Sequence, residues 1–261
     1  MKPPPPGAPA IEMRNVAVGA IRDESTVVVE EVDWTVAVGD FWVVAGLQGS
    51  GKSDLLMMTG GLMPPLRGTY RFFGEEMPIF DEARLHERLR LGMVFEGGQL
   101  FNQLTVAENV ALPFRYHRNL TQAQAQPEVE KFLESLELAP WADSTPGAIG
   151  RNWQKRVGLA RALVLQPEVL IVDSPLTGLD LRHVHWWLSF LDQLSKGHTL
   201  LQGRAITLVV TAADLRPWKG RARQFAILKN KRLSVLGSWD QLESANEELI
   251  QELLVTEKPG A

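Results

Sequence analysis

The chain has 261 residues, 45% of them apolar and 22% charged, with a net charge of −4. That length suits one large globular unit or two smaller ones, and the mild acidity argues against a general nucleic-acid-binding surface, which would be basic. With no cysteine there is neither a disulfide framework nor a thiolate metal site, and no apolar run reaches the roughly 20 residues that a membrane-spanning helix requires.

Taken in chain order, "MKPPPPGAPA" (residues 1–10) is proline-rich without an apolar stretch, and reads as a disordered tail, not a secretion signal. "IEMRNVAV" and "STVVVEEVDWTVAV" read as a strand-rich meander that turns at Val38–Asp40 into the apolar run Phe41–Ala45. Four further runs, Leu91–Phe95, Val169–Val172, Ile206–Thr211 and Phe225–Leu228, share its character and are expected to be buried strands. Residues 97–165 contain no such run and read as a helical insertion. Within it Thr105 and Glu108 have capping-box spacing, and Pro127 is expected to open a helix with Val129, Phe132, Leu133 and Leu136 on one face. Val184, Trp187, Leu188 and Leu191 follow helical spacing ahead of a stop at Gly197. Ser238 and Gln241 repeat the capping box, and residues 241–261 are expected to form a C-terminal helix and tail. Strand alternating with helix argues for an α/β fold with a largely parallel sheet. His86, His117, His183, His185 and His198 are scattered, and are expected to be structural or solvated.

"GLQGSGKSD", Gly46 to Asp54, directly follows the first buried run and fits the phosphate-loop pattern through Gly46, Gly51, Lys52 and Ser53. Glycines let successive backbone N–H groups face one anion, and the helix that follows presents its positive end to the same point. Lys52 is placed to reach the terminal phosphates and Ser53 to offer its hydroxyl to Mg²⁺. Asp54 sits against that chemistry: a carboxylate about 4 Å from a phosphate charge costs roughly 4 kcal/mol at an effective dielectric of 20. It is expected either to turn away or to lean on the helix N-terminus.

With "GMVFEGGQLFNQLTVAENVALPFRYH" and "GLARALVLQPEVLIVDSPLTGLD" behind the loop in that order, the chain resembles the ATP-binding subunit of an ABC transporter over residues 11–240. "VFEGGQLFNQLTVAENVALPFRYH" most resembles the Mla-type subunits of MCE-linked phospholipid transport. The resemblance implies a P-loop RecA-like core with an antiparallel β flank (about 11–96 and 166–240) and an inserted α-helical subdomain (about 97–165). It implies ATP and Mg²⁺ as cofactors, with Gly46, Gln48, Gly49, Ser50, Gly51, Lys52, Ser53 and Asp54 at the nucleotide and Ser53, Asp173 and Glu96 at the metal. A head-to-tail homodimer, or a heterodimer with another ABC subunit, would pair with a transmembrane permease and not with nucleic acid. Such a subunit is cytoplasmic and peripheral on the inner face of the cell membrane. The permease groove would be lined by residues from Glu96 to Pro113; by themselves Phe95, Leu100, Phe101 and Leu104 read as core.

The resemblance also marks where this sequence departs from the family. Pro175 and Gly178-Leu179-Asp180 are kept, but the catalytic Glu expected after Asp173 is Ser174. The switch His expected after "VVT" is Ala212, with Ala213 and Asp214 next. The signature L-S-G-G-Q aligns, behind Pro146, with Ile149-Gly150-Arg151-Asn152-Trp153, where Trp153 is expected to face a partner. Glu96 replaces a Gln, and "GAIR" at residues 19–22 offers Ile21 where an adenine-stacking aromatic belongs. The expectation is a docking or regulatory pseudo-ATPase of a lipid-related transporter. The alternatives are an active ATP-hydrolysing subunit and, more remotely, a soluble ABC protein outside transport.

Overall fold

A computed structural model of the chain describes residues 7–79, 81–245, 250 and 253. Its strands are β1 (Pro9–Ala20), β2 (Asp23–Ala37), β3 (Phe41–Ala45), β4 (Arg67–Phe72), β5 (Glu75–Glu76), β6 (Leu91–Val94), β7 (Val169–Val172), β8 (Thr207–Ala212), β9 (Gln224–Lys229) and β10 (Arg232–Gly237). Its helices are α1 (Lys52–Thr59), α2 (Leu85–Arg88), α3 (Val106–Arg118), α4 (Gln122–Ser135), α5 (Arg151–Leu163), α6 (Leu181–Lys196) and α7 (Trp239–Ser244). The chain divides into two compact units, residues 1–79 with 207–261, and residues 80–206.

In the first unit the strands run in the order β5-β4-β1-β2-β10-β9-β3-β8. β1 is antiparallel to both β2 and β4, which makes the expected antiparallel flank. β3 is parallel to β8 on one side and to β9 on the other. All five residues of β3 are buried, as an apolar run between two parallel neighbours requires. β4 approaches β1 so closely that a Cβ on Gly68 would lie 2.4 Å from the Asn15 carbonyl, so only glycine fits there. Below the sheet, Tyr70 Oη donates to the Thr59 carbonyl at 2.6 Å and ties β4 to the end of α1.

In the second unit β6 and β7 are parallel from Leu91↔Val169 to Val94↔Val172. α5 packs on β6, and α3 packs on both α4 and α5. The loop between β6 and α3 is organised by Asn109, which is fully buried. Its Oδ1 accepts from the Phe101 N–H at 2.9 Å, and its Nδ2 donates to the carbonyls of Thr105, Phe101 and Leu104. The capping boxes at Thr105/Glu108 and Ser238/Gln241 both form.

Several expectations are corrected. α4 begins at Gln122 and not at Pro127, because Thr121 and Gln124 make a reciprocal capping box one turn earlier. Pro127 is tolerated inside the helix, as Pro113 is inside α3, at the loss of one backbone hydrogen bond each. β1 begins at Pro9, inside the expected tail; residues 1–6 lie outside the described residues. The compact units divide at 79/80 and 206/207, and β6, which pairs with β7 and packs on α5, falls in the second of them. β4, β5 and β10 lie outside the expected strands, because they are short or largely exposed and lack the apolar runs that mark buried strands. Beyond α7, Ile250 and Leu253 are helical and buried, and the rest of the expected C-terminal helix lies outside the described residues.

Candidate functional site

β3 delivers the chain to Gly46, where a Cβ would meet the Leu228 carbonyl at 2.6 Å and Ser50 Oγ at 2.7 Å, so the position admits no side chain. The Gly46 N–H donates to the Ala212 carbonyl at 3.3 Å, which fastens the loop to the end of β8. The loop curls through Gly49 (φ 77°) and Gly51 (φ 96°), both left-handed, and Gly51 caps α1. Lys52 is buried and bends back into the curl. Its Nζ donates to the carbonyls of Gly46 (2.7 Å) and Leu47 (2.8 Å) and lies 3.5 Å from Ser50 Oγ. Gln48, Gly49 and Ser53 are exposed around it. An ammonium at the centre of a glycine loop, at the positive end of a helix, is a seat for a phosphate group.

Asp54 turns away from that seat, as one of the two expectations had it. Its Oδ1 accepts from the Ile21 backbone N–H at 2.9 Å, which pins the β1–β2 turn to α1. Ile21 itself is half exposed. Ala212 ends β8 opposite Ala45, and two residues on, Asp214 is engaged by three donors of Arg216.

The second unit holds Asp173, Glu96 and the segment Ile149–Trp153. β7 carries Asp173 at its C-terminal end, where the carboxylate is buried and the N–H donates to the Val94 carbonyl at 2.8 Å. Ser174 follows in the left-handed region (φ 45°), and its Oγ donates to Asp173 Oδ1 at 3.3 Å. Glu96 is exposed just past β6. Among the described residues no three His, Cys, Asp or Glu side chains cluster tightly enough to hold a metal unaided. That fits Mg²⁺, which is usually held by one or two carboxylates together with phosphate oxygens and water.

Gly150 caps α5 without a side-chain bond, and Arg151 opens the helix exposed. Asn152 Nδ2 lies 3.4 Å from Asp180 Oδ2. Trp153 is half-buried, with part of its ring packed inside its own unit and the rest at the surface, where the sequence places a partner contact. His183 meets it edge-on at 5.2 Å, Trp141 lies 6.0 Å away, and the Arg156 guanidinium is 4.6 Å from its ring centre. Arg156 is 1% exposed and is held by Glu137 Oε2 at 2.7 Å, His183 Nδ1 at 3.1 Å and the face of Trp186 at 3.7 Å. Because guanidinium only donates, His183 must accept at Nδ1. Burial and then the Arg156 charge hold its pKa below the ordinary value.

Residues 29–177 match the family model described as ABC transporter. The chain belongs to the ABC transporter family. It is 34% identical over 200 residues to the macrolide export ATP-binding/permease protein MacB of Azoarcus, covering 75% of this chain and 30% of that protein. It is 31% identical to the methionine import ATP-binding protein MetN of Lacticaseibacillus paracasei, covering 85% of this chain and 62% of the relative. The intermembrane phospholipid transport system ATP-binding protein MlaF of Escherichia coli is 27% identical, over 94% of this chain and 88% of its own. Relatives of different transport systems thus match at similar identity, and the chain spans less than two thirds of the first two. Among solved structures, a dimeric ATP-binding cassette in a post-hydrolysis state with ADP and Pi matches at a TM-score of 0.74 and 26% identity, covering 85% of this chain and 96% of that one.

In this ABC-family chain, an apolar cavity of about 570 Å³ opens in the second unit between Met93, Phe95, Phe101, Leu112, Tyr116 and Leu165. Phe101 is 53% exposed and Tyr116 76%, so neither is core; the expected core reading fails for Phe101. Leu112 lies within the stretch expected to line the permease groove, and Tyr116, beyond its end at Pro113, had no signal of its own, because only the packing of α3 decides which of its faces stays uncovered. No helix among the described residues is long and apolar enough to cross a membrane.

Proposed function

We propose that the chain is the nucleotide-binding subunit of a lipid-related ABC transporter, and that it docks or regulates without turning over ATP. One observation carries the pseudo-ATPase reading: the group following Asp173 is the hydroxyl of Ser174, directed back at Asp173. A hydroxyl there is a poor base at neutral pH, and general-base catalysis typically contributes about 10²–10⁴-fold. Ala212, at the position of the switch His, adds only a methyl group. ATP would be held by the loop Gly46–Ser53 and by Lys52, with the Ser53 hydroxyl offered to Mg²⁺. The MlaF match, long in both chains, supports a phospholipid cargo. A transmembrane permease is the partner, docking at the apolar cavity by Phe101 and Tyr116, and it holds the subunit at the inner face of the membrane. A second ABC subunit, identical or not, completes the dimer.

Calorimetry and phosphate release test this reading. Mg²⁺-ATP is expected to bind wild type and to lose measurable binding in Lys52→Ala, while phosphate release stays at background. Robust Mg²⁺-dependent release that vanishes in Lys52→Ala would establish the active-subunit alternative. Co-purification with a nucleic acid in place of a permease would remove the transport reading.

A further inference from the structure

In the second unit, three main-chain carbonyls converge where a lysine ends. Lys155, the fifth residue of α5, donates from Nζ to the carbonyl oxygens of Thr177 (2.7 Å), Ser174 (3.2 Å) and Pro175 (3.4 Å). An ammonium carries three donors, and these three carbonyls match them in number. Lys155 is 6% exposed. Burial opposes its charge, while the carboxylates of Glu96 and Asp173 support it. Inward-pointing carbonyl dipoles repel one another, and a cation at their centre relieves that repulsion. Oxygen cages of this kind are how proteins hold hard cations. The backbone shows the same constraint: Ser174 is left-handed at φ 45°, a region that costs a non-glycine residue energy, and the Ser174 carbonyl also accepts from the Thr177 N–H at 3.3 Å.

We propose that the turn from Ser174 to Thr177 is a cation cage for a primary ammonium, and that Lys155 is its tethered occupant. On this view Lys155 is a positioning residue. It holds Ser174 in its left-handed conformation and thereby sets where the neighbouring Asp173 carboxylate stands. A free alkylammonium ion of matching length should then substitute for the missing side chain in a truncated variant. The cage can be tested without nucleotide, because its atoms lie wholly within the turn and α5.

The test is hydrogen exchange of the amides of Ser174, Leu176, Thr177 and Gly178, read by mass spectrometry on the full chain without nucleotide. Lys155→Ala is expected to speed their exchange by about tenfold or more, the worth of one charge-assisted hydrogen bond. Propylammonium chloride should restore protection, and tetramethylammonium chloride at equal ionic strength, which has no N–H to donate, should not. Lys155→Met keeps the side-chain volume and loses the charge. It should lose protection as well, and it carries the measurement if Lys155→Ala fails to fold. Unchanged exchange in Lys155→Met, or equal rescue by the two salts, would overturn the proposal. A failure of nucleotide binding in wild type would leave these outcomes untouched.

Discussion

Asp54 and Lys52 sit two residues apart at the start of α1 and meet a phosphate with opposite charge. Lys52 can lend its ammonium to a ligand because its present partners, the Gly46 and Leu47 carbonyls, belong to the same loop. Asp54 repels a phosphate and is directed instead onto the Ile21 N–H, 33 residues away in sequence. Asp54→Asn keeps an acceptor for Ile21 and removes the charge. Nucleotide should bind it about tenfold more tightly by calorimetry, the effect of deleting one repulsive charge at roughly 10 Å in a medium of effective dielectric 20. Unchanged affinity would mean that the carboxylate is already screened. The pattern of glycines, Lys52 and Ser53 could be read directly from the residue types. The tether to Ile21 could not, because it depends on a turn whose place in space is set by the pairing of β1 with β2.

At the scale of elements, α5 is held by its neighbours more than by its own propensity. Gly158 lies against Gly98, so that a Cβ on Gly158 would come 2.9 Å from the Gly98 Cα, and a Cβ on Gly98 would come 2.5 Å from the Gln154 carbonyl. Arg161 secures the same approach by donating to the Gly98 and Gln99 carbonyls at 2.8 and 2.9 Å, and burial lowers its pKa. Alanine is worth about 1 kcal/mol over glycine in a helix interior, while overpacking costs about 1–3 kcal/mol. Because the clash is with backbone, Gly158→Ala should destabilise the protein by up to about 2 kcal/mol in urea unfolding, against the propensity scale. A stabilised variant would show that the loop after Glu96 yields easily. Sequence reading recognised α5 only as part of a helical insertion, since a glycine inside a helical pattern gives no hint of what presses against it.

For the whole molecule, acid is the direction of weakness. Burial holds the pKa values of His117, His183 and His198 below the ordinary 6.5. The unfolded chain therefore takes up protons at higher pH than the folded one, so this part of the stability is complete above about 6.5 and is lost as pH falls through the lower folded values. Urea midpoints should fall between about pH 7 and pH 5, and His183→Gln, which keeps an acceptor for Arg156, should make the fall shallower. An identical slope in that variant would remove His183 from the account. The residue types by themselves determined the phosphate loop, the buried parallel strands, the capping boxes at Thr105 and Ser238 and the replacement of acid by serine at 174, because each is a local pattern of sterics or charge. Only tertiary structure decided that Trp153 lies against Arg156 and His183, that Phe101 and Tyr116 stay exposed, and that Lys155 closes the turn after Asp173. Each of those depends on which distant surface covers a side chain, and burial, unlike periodicity, belongs to the packed whole and not to any stretch of the chain.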